Sequence, residues 1–317
     1  MSRYKRFQVS QLEDYSLRDR PSKVTTSDFA KPLSTDSIVD YLSSLPNLLA
    51  ARDLRCLVHS ILGARQKNKP VIWGIGGHVI KVGLAPVLIA LMEQGFVSAV
   101  ATNGSGIIHD FEISLCGRTS EDVEKELKTG AFGMARETGQ SLNRAIRQGA
   151  REDKGIGEAV GEFLVKADPE YSNCSVICES YKRQIPLTVH IAIGTDIIHN
   201  HPDFCGASVG KTAQIDYQIF TQLVSLLDDG GVFLNVGSAV ILPEVFLKAV
   251  SMIRNSGQQL DGFVTANMDF IQHYRPTQNV VRRPVGDAGS GIAITGHHEI
   301  MIPLLAGLLM HSDIDQL

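Results

Sequence analysis

Two side chains that could transfer protons follow predicted elements at positions where a parallel sheet binds its ligands. His109 begins a predicted helix just after a glycine-rich turn, and Asp196 follows the buried apolar run 187–193. Ligands of open α/β sheets lie outside the carboxyl ends of the strands. We therefore expect His109 and Asp196 to act as acid/base groups or to contact a ribose. Capping of the helix start by His109 and Asp110 is the alternative.

Two glycine-rich turns predict what the ligand is. Each turn follows a short apolar run typical of a buried strand; the first contains Gly76, Gly77 and His78, and the second contains Thr102, Asn103, Gly104 and Ser105. Glycine lets the main chain approach a ligand closely, and the N-terminus of a following helix favours anionic groups. The pattern therefore predicts a nucleotide-sized ligand.

Two better-known nucleotide motifs are excluded by their spacing. The dinucleotide fingerprint that begins at Gly74 and Gly76 needs a glycine at position 79, where the sequence has Val79. The segment from Gly206 to Thr212 resembles a P-loop, but three residues separate its glycines where four are required. Neither motif is used in the predicted site.

The histidines allow a different chemistry. His199 and His201 share a predicted loop, and His297 and His298 are adjacent. Histidines in loops can ligate zinc, although neither a Glu-containing helix signature nor a suitable cysteine pair accompanies them. We expect no metal, and we keep metal-assisted hydrolysis by these four histidines as an alternative function.

Two adjacent arginines predict an anion site. Arg282 and Arg283 precede a glycine-rich stretch, residues 286–291. A guanidinium group binds carboxylates and phosphates through charge-assisted hydrogen bonds. We therefore expect Arg282 and Arg283 to hold an anionic group of a small substrate.

The composition excludes several classes of protein. The chain has 317 residues, 44% of them hydrophobic and 20% charged, as in an ordinary folded protein. Its net charge of −4, without a basic stripe, argues against nucleic-acid binding. No apolar run of about 18 residues predicts a membrane span, and no signal peptide is apparent. The five cysteines indicate a reducing compartment, so we expect a cytoplasmic protein.

Predicted strands alternate with predicted helices along most of the chain. This order predicts a doubly wound, mostly parallel α/β sheet of the Rossmann-like type. Residues 1–68 are expected to form an N-terminal arm and helices packed on a nucleotide-binding domain of residues 69–317, the whole being one structural domain. Four glycines within residues 130–150 favour a loop or lid there, and residues 197–212 are expected to be a loop.

The order of these segments resembles deoxyhypusine synthase, a family of NAD-dependent enzymes that move an aminobutyl group from spermidine to a protein lysine. The likeness runs over roughly residues 70–310. Residues 73–83 resemble the family's first strand and turn, and residues 102–106 with His109 and Asp110 resemble its second turn. The segments 194–196, 236–239 and 264–267 are similar to three later turns and strand ends of the family.

The resemblance implies NAD as cofactor and a homotetramer with sites at subunit interfaces. The implied NAD-binding residues are Gly76, Gly77, His78, Thr102, Asn103, Gly104, Ser105, Gly237, Ser238, Thr265, Ala266 and Asn267. The family's catalytic lysine falls in a segment that corresponds here to residues 276–283, which contain no lysine. The resemblance therefore does not extend to spermidine cleavage.

The leading hypothesis is an NAD-dependent enzyme with an unknown small, anionic substrate. Asp196 and His109, together with His199 or His297, would transfer protons. The alternatives are the metal-assisted hydrolase described above and a non-catalytic nucleotide-binding protein.

Overall fold

The computed structural model describes residues 38–312. The predicted N-terminal arm lies outside the described residues. The sheet consists of β1 (Val71–Ile75), β2 (Ala99–Asn103), β3 (Leu187–His190), β4 (Val232–Val236), β5 (Val264–Asp269) and β6 (Ser290–Thr295).

The α-helices of the described residues are α1 (Ile38–Ser44), α2 (Leu49–Gln66), α3 (Gly77–Lys81), α4 (Ala85–Glu93), α5 (Gly104–Cys116), α6 (Val123–Leu127), α7 (Arg136–Arg151), α8 (Ile156–Ala167), α9 (Val176–Lys182), α10 (Gly206–Ser225), α11 (Ile241–Asn255), α12 (Tyr274–Pro276) and α13 (His298–His311). Short 3₁₀ helices lie at Ser172–Cys174 and Ile197–Asn200, and α12 continues into a π-helix at Thr277–Arg282. No helix in this part of the chain is long and apolar enough to cross a membrane.

The strand order is β3-β2-β1-β4-β5-β6, and all neighbouring strands pair in parallel. The predicted doubly wound α/β fold is thus confirmed. Strands β2 and β3 lie on one side of β1, and β4, β5 and β6 lie on the other. The strand order therefore reverses between β1 and β4. In such sheets ligands bind at this switch point, outside the carboxyl ends of the strands.

Helices cover both faces of the sheet, which explains why its central strands β1 and β4 are buried along their whole length. On one face Trp73 belongs to a core that includes residues of α2, α4 and α13. On the other face Phe233 of β4 stacks on Phe246 of α11, with ring centroids 4.0 Å apart, and meets Phe220 of α10 edge to face. These two cores hold the strand ends at fixed positions.

Two predictions about local structure are wrong. Residues 136–151 form the helix α7, because Gly139 and Gly149 serve close packing: an added Cβ would lie 2.1 Å from His201 Nδ1 and 2.6 Å from the Cβ of Ala159, respectively. Within the segment 197–212, residues from Gly206 onwards already belong to α10.

The edge strand β3 is fastened by a buried carboxyl group. Asp216 of α10 accepts hydrogen bonds from the backbone N–H of Val189 in β3, at 2.9 Å, and of Gly157 in α8, at 3.1 Å. Its side chain is fully buried, and this desolvation raises its pKa to about 7. Asp216 thus connects β3 and α8 to its own helix, α10. The loop that contains Asp196 follows β3.

Candidate functional site

Three turns meet at the carboxyl edge of the sheet, at the switch point. Gly76 follows β1 and Gly237 follows β4, and a Cβ added to Gly76 would lie 2.3 Å from the carbonyl oxygen of Gly237. A Cβ added to Gly77 would lie 2.3 Å from Oγ of Ser105, in the turn after β2. Gly237 has a φ of +70°, a conformation that favours glycine. Only glycine therefore lets the main chain of these turns come so close.

The turn after β2 is held by its own polar side chains. Asn103 caps α5, since its Oδ1 accepts hydrogen bonds from the backbone N–H of Gly106, at 3.1 Å, and from Oγ of Ser105, at 2.9 Å. The hydroxyl of Thr102 donates to the carbonyl oxygen of Ile75, at 3.0 Å, and so ties this turn to β1. The side chains of Thr102 and Asn103 position the turn, and any ligand contact here falls to the first N–H groups of α5.

A cavity of about 250 Å³ lies beside this turn, between α3, α5 and the loop after β3. Its polar lining consists of Lys81, Ser105, His109, Glu112, Ser120, Glu121, Thr195 and Asp196. The structure thus brings Ser105, His109 and Asp196 together, three residues that the sequence singled out. It also adds a cation, Lys81, and two carboxylates that the sequence did not single out.

His109 is part of a chain of hydrogen bonds along one wall of the cavity. Its Nδ1 lies 2.8 Å from Oγ1 of Thr119, which lies 2.5 Å from Oε2 of Glu112. The hydroxyl of Thr138 donates to Oε1 of Glu112, at 3.0 Å. Partial burial lowers the pKa of His109, an effect that Glu112 opposes and Lys81 reinforces. The imidazole is therefore neutral at neutral pH.

Asp196 does not end a strand, contrary to the prediction. Strand β3 ends at His190, and Asp196 caps the 3₁₀ helix Ile197–Asn200 in a reciprocal arrangement with His199. Nδ1 of His199 accepts hydrogen bonds from the backbone N–H of Gly194 and of Asp196, at 3.0 and 3.3 Å. The loop still brings the Asp196 carboxyl group to the cavity.

The Asp196 carboxyl group packs on the start of α5. A Cβ added to Gly104 would lie 2.1 Å from its Oδ2, which explains the glycine at this position. Burial raises the pKa of Asp196, and His199, whose Nε2 lies 3.9 Å from Oδ2, opposes the shift. A cavity-lining carboxyl group with a raised pKa is a common feature of functional sites.

A network of amide side chains holds the turn after β4. Nδ2 of Asn235 donates to the carbonyl oxygen of Ser238 and to Oδ1 of Asn267, and Nδ2 of Asn267 donates to Oε1 of Gln272. Asn267 thus acts on the Gly237–Ser238 turn through Asn235. It is itself fully buried inside β5.

Two other predicted cofactor residues also lie inside β5. Thr265 and Ala266 are fully buried, and the hydroxyl of Thr265 donates to the carbonyl oxygen of Val280. The strand continues to Asp269, so its carboxyl end lies several residues further along. Neither residue has surface to offer a ligand.

A cluster of four aromatic rings, those of His78, Phe270, His297 and His298, lies next to the switch point. The exposed ring of His78 lies 6.1 Å from that of Phe270 and 5.6 Å from that of the buried His298. The exposed His297 stacks on Phe270, with centroids 6.2 Å apart. His297 and His78 therefore belong to one surface, distinct from the lining of the cavity that contains His109.

The structure does not support the metal-assisted alternative. Nε2 of His201 is hydrogen-bonded to the carbonyl oxygen of Gly133, at 2.9 Å. Nδ1 of His199 accepts hydrogen bonds from backbone N–H groups. Nowhere in residues 38–312 do three histidine, cysteine or acidic side chains come together as a metal site would require. The four histidines are separated because adjacent positions in a loop or helix start face different neighbours.

Two more predicted residues have structural partners. Asp110 is buried and accepts hydrogen bonds from the hydroxyl of Ser175 and the backbone N–H of Val176, so it caps α9.

Arg283 donates to Oδ1 of Asn279. Residues 286–291 lead into the first strand residues of β6, at the opposite end of the sheet from the glycine turns.

The residues that sequence reasoning missed carry weak sequence signals. Glu112 lies three positions after His109, on the same face of α5, and such spacing could have linked the two. Lys81 lies four positions after Gly77 and so one helical turn beyond the first glycine turn. Thr119 offers no signal, because it reaches His109 only after the chain has folded back behind α5.

The fold and the position of its glycine turns define a Rossmann-like α/β protein. No family model matches the sequence, and no curated protein matches it. Solved structures, in contrast, share its fold. A putative deoxyhypusine synthase from Entamoeba histolytica is 11% identical, with a TM-score of 0.52, and the match covers 87% of this chain and 94% of that protein.

AgrE gives a second match of this kind. Its ternary complex with ornithine and NAD⁺ is 15% identical, with a TM-score of 0.52, and unliganded AgrE has a TM-score of 0.54. The matches cover 83% of this chain but 34% of AgrE, so the chain spans about a third of that protein. At these identities the similarity shows a common fold.

Proposed function

We propose that this protein is an NAD-dependent enzyme with a deoxyhypusine synthase-like fold, and that its substrate is small and carries an anionic group. One observation carries the proposal: glycine turns converge at the switch point of the sheet, directly beside a cavity lined by Lys81, His109 and Asp196. A dinucleotide site and an acid/base site are thereby adjacent. The AgrE complex, which contains NAD⁺ on a similar fold, supports the choice of cofactor.

The switch point has the features that a dinucleotide requires. Side chains are absent at Gly76, Gly77 and Gly237, where the main chain must approach the ligand. The helices α5 and α11 begin at this edge, and their N-termini favour a pyrophosphate. Nδ1 of the buried His298, which packs on Gly237, has no hydrogen-bond partner within the described residues and suits a polar ligand atom.

The cavity supplies the groups for the substrate. NAD, when bound, accepts a hydride. Lys81 lines the cavity, so its ammonium group can hold an anionic substrate group. It replaces Arg282 and Arg283 in this role. His109 accepts a proton from the reacting group, and Asp196 orients that group by a hydrogen bond from its carboxyl.

Binding of NAD is the first test. Titration calorimetry and thermal melting should show binding and stabilisation, by about 2.7 kcal/mol at a ligand concentration about a hundred times Kd. We expect Gly237→Ala to weaken binding, because the added Cβ would lie 2.8 Å from the ring of His298 at the switch point. Gly257→Ala is the matched control, since Gly257 also has a positive φ but no atom within 4 Å of an added Cβ.

The absence of both a heat of binding and a melting shift at millimolar NAD and NADH would contradict the cofactor assignment. Equal losses of affinity in the two glycine variants would contradict the placement at the switch point. If NAD binds but a screen of ornithine, other amino acids and hydroxy acids yields no NADH, the non-catalytic alternative is favoured. Ornithine is the first candidate because it accompanies NAD⁺ in the AgrE complex.

Asp196→Asn tests the acid/base cavity separately from the cofactor. The amide keeps the size of the side chain but cannot carry the charge, so substrate binding and turnover should fall while the melting temperature changes little. The parent's turnover should also depend on pH in the range of the raised Asp196 pKa, and this dependence should disappear in the variant. A large loss of stability with unchanged turnover would show a structural role instead.

A further inference from the structure

We propose that Thr119 and Glu112 fix His109 in the tautomer with its proton on Nδ1, so that Nε2 is the proton acceptor of the cavity. This assignment rests on the proposed function, because it names the base of that same site. Thr119 and Glu112 act through His109 and are positioning residues. His109 and Glu112 lie on α5, and Thr119 reaches them because the loop that follows α5 contacts this helix.

The direction of each hydrogen bond follows from the number of protons available. The Glu112 carboxylate only accepts, so the single hydroxyl proton of Thr119 is donated to its Oε2, at 2.5 Å. The oxygen of Thr119 can then only accept from Nδ1 of His109, 2.8 Å away. Nδ1 must therefore carry the ring proton, and a neutral imidazole has one such proton.

Nε2 of His109 is left as a free acceptor. It has no hydrogen bond to any described residue, and the half-buried imidazole lines the cavity. The charged and titratable groups that face His109 are His78 and Lys81 on α3, Glu112 on its own helix, and Glu121 and Asp196 across the cavity. The Nε2 lone pair is thus directed at the space where a substrate would lie.

His199 is held in the opposite tautomer. Its Nδ1 accepts hydrogen bonds from two backbone N–H groups, so its proton must be on Nε2. That nitrogen is buried and has no hydrogen-bond partner among the described residues. His199 therefore cannot accept a proton from a substrate, and of the two histidines beside Asp196 the geometry selects His109.

The hydrogen-bonded chain of His109, Thr119 and Glu112 compensates the positive charge that the proton transfer creates on the imidazole. When Nε2 takes a proton from a hydroxyl or amine group of the substrate, the ring becomes an imidazolium and the substrate group gains the electron pair of the broken bond. The proton on Nδ1 stays on the ring and remains hydrogen-bonded to Oγ1 of Thr119, and the Glu112 carboxylate stabilises the new positive charge. The proton on Nε2 returns to water when the product leaves.

The test is nitrogen NMR of the full chain with ¹⁵N-labelled histidine, recorded at about pH 8, where a histidine of lowered pKa is neutral. The His109 signals are those lost in His109→Gln. In the parent and in Thr119→Ser, which keeps the hydroxyl, we expect a protonated Nδ1 and an unprotonated Nε2. In Thr119→Val we expect reversal to the Nε2–H tautomer that histidine favours in water.

Thr138→Val is the matched control, because it removes a hydroxyl from the other oxygen of Glu112 and should leave the His109 tautomer unchanged. A parent with its proton on Nε2 would overturn the proposal. So would a tautomer that is the same in Thr119→Val and the parent, provided that both melt cooperatively. The NMR result does not depend on NAD, so failure of this assignment and failure of the cofactor assignment are distinguishable.

Discussion

Asp216→Ala should lower the free energy of unfolding by about 2–6 kcal/mol at about pH 5, where the native carboxyl group is protonated. The substitution leaves the buried N–H groups of Val189 and Gly157 without an acceptor, and each unsatisfied group costs about 1–3 kcal/mol. Urea denaturation followed by circular dichroism measures the difference. A loss below about 0.5 kcal/mol would show that water reaches these groups.

Asp216→Asn keeps an acceptor oxygen and isolates the effect of ionisation. The pKa of Asp216 is raised from 3.8 to about 7 in the folded protein, so the folded state retains a proton that the unfolded state has lost. The parent should therefore lose stability as the pH rises from about 4 to about 7. Asp216→Asn should lack this slope.

The comparison of parent and variant removes the contribution of a nearby group. His190 is buried in β3, and its pKa is depressed to about 3. Above the ordinary histidine pKa of 6.5 it is neutral in both the folded and the unfolded state. As the pH falls below that value the unfolded state gains the proton first, which destabilises the folded state. His190 is present in both proteins, so its effect cancels in the difference between them.

The fold could be predicted from the sequence because its signals are local. Buried strands such as 71–75 and 232–236 are short, predominantly apolar runs, and glycine-rich turns follow them. The prediction failed at α7 because a glycine in a helix is ambiguous. Gly139 and Gly149 cost helix propensity, yet they let α7 pack closely against His201 and Ala159, and this contact is visible only in the folded chain.

The site was less predictable than the fold, since its contacts join distant segments. The turn residues and His109 and Asp196 could be named because each follows a strand. The hydrogen-bonded chain of His109, Thr119 and Glu112 could not be predicted, because Thr119 lies in a polar loop. The role of Lys81 could not be predicted because Lys81 lies in a short helix. The predicted Thr265 and Ala266 proved to lie inside a strand, since the sequence does not mark where β5 ends.

His109→Gln should lower the rate of NADH formation by about 10²–10⁴-fold, the usual effect of a positioned acid/base group. The rate is measured with the most active substrate from the screen of amino and hydroxy acids. NAD affinity should stay near that of the parent, because the turns that form the proposed cofactor site do not include His109. His59→Gln, at an exposed position on α2, is the matched control and should keep the parent's rate.

The pH dependence distinguishes loss of a base from loss of packing. A histidine base works only when it is neutral, and burial lowers the pKa of His109 below 6.5. Protonation of His109 should therefore lower the parent's rate only as the pH drops below 6.5, and this acid limb should be missing from the residual activity of His109→Gln, whereas the pH dependence that comes from Asp196 should remain. A variant with the parent's rate, or with the same acid limb at a lower rate, would show that His109 only shapes the cavity. The base would then have to be Asp196, because the backbone N–H groups that bind Nδ1 of His199 place its proton on the buried Nε2.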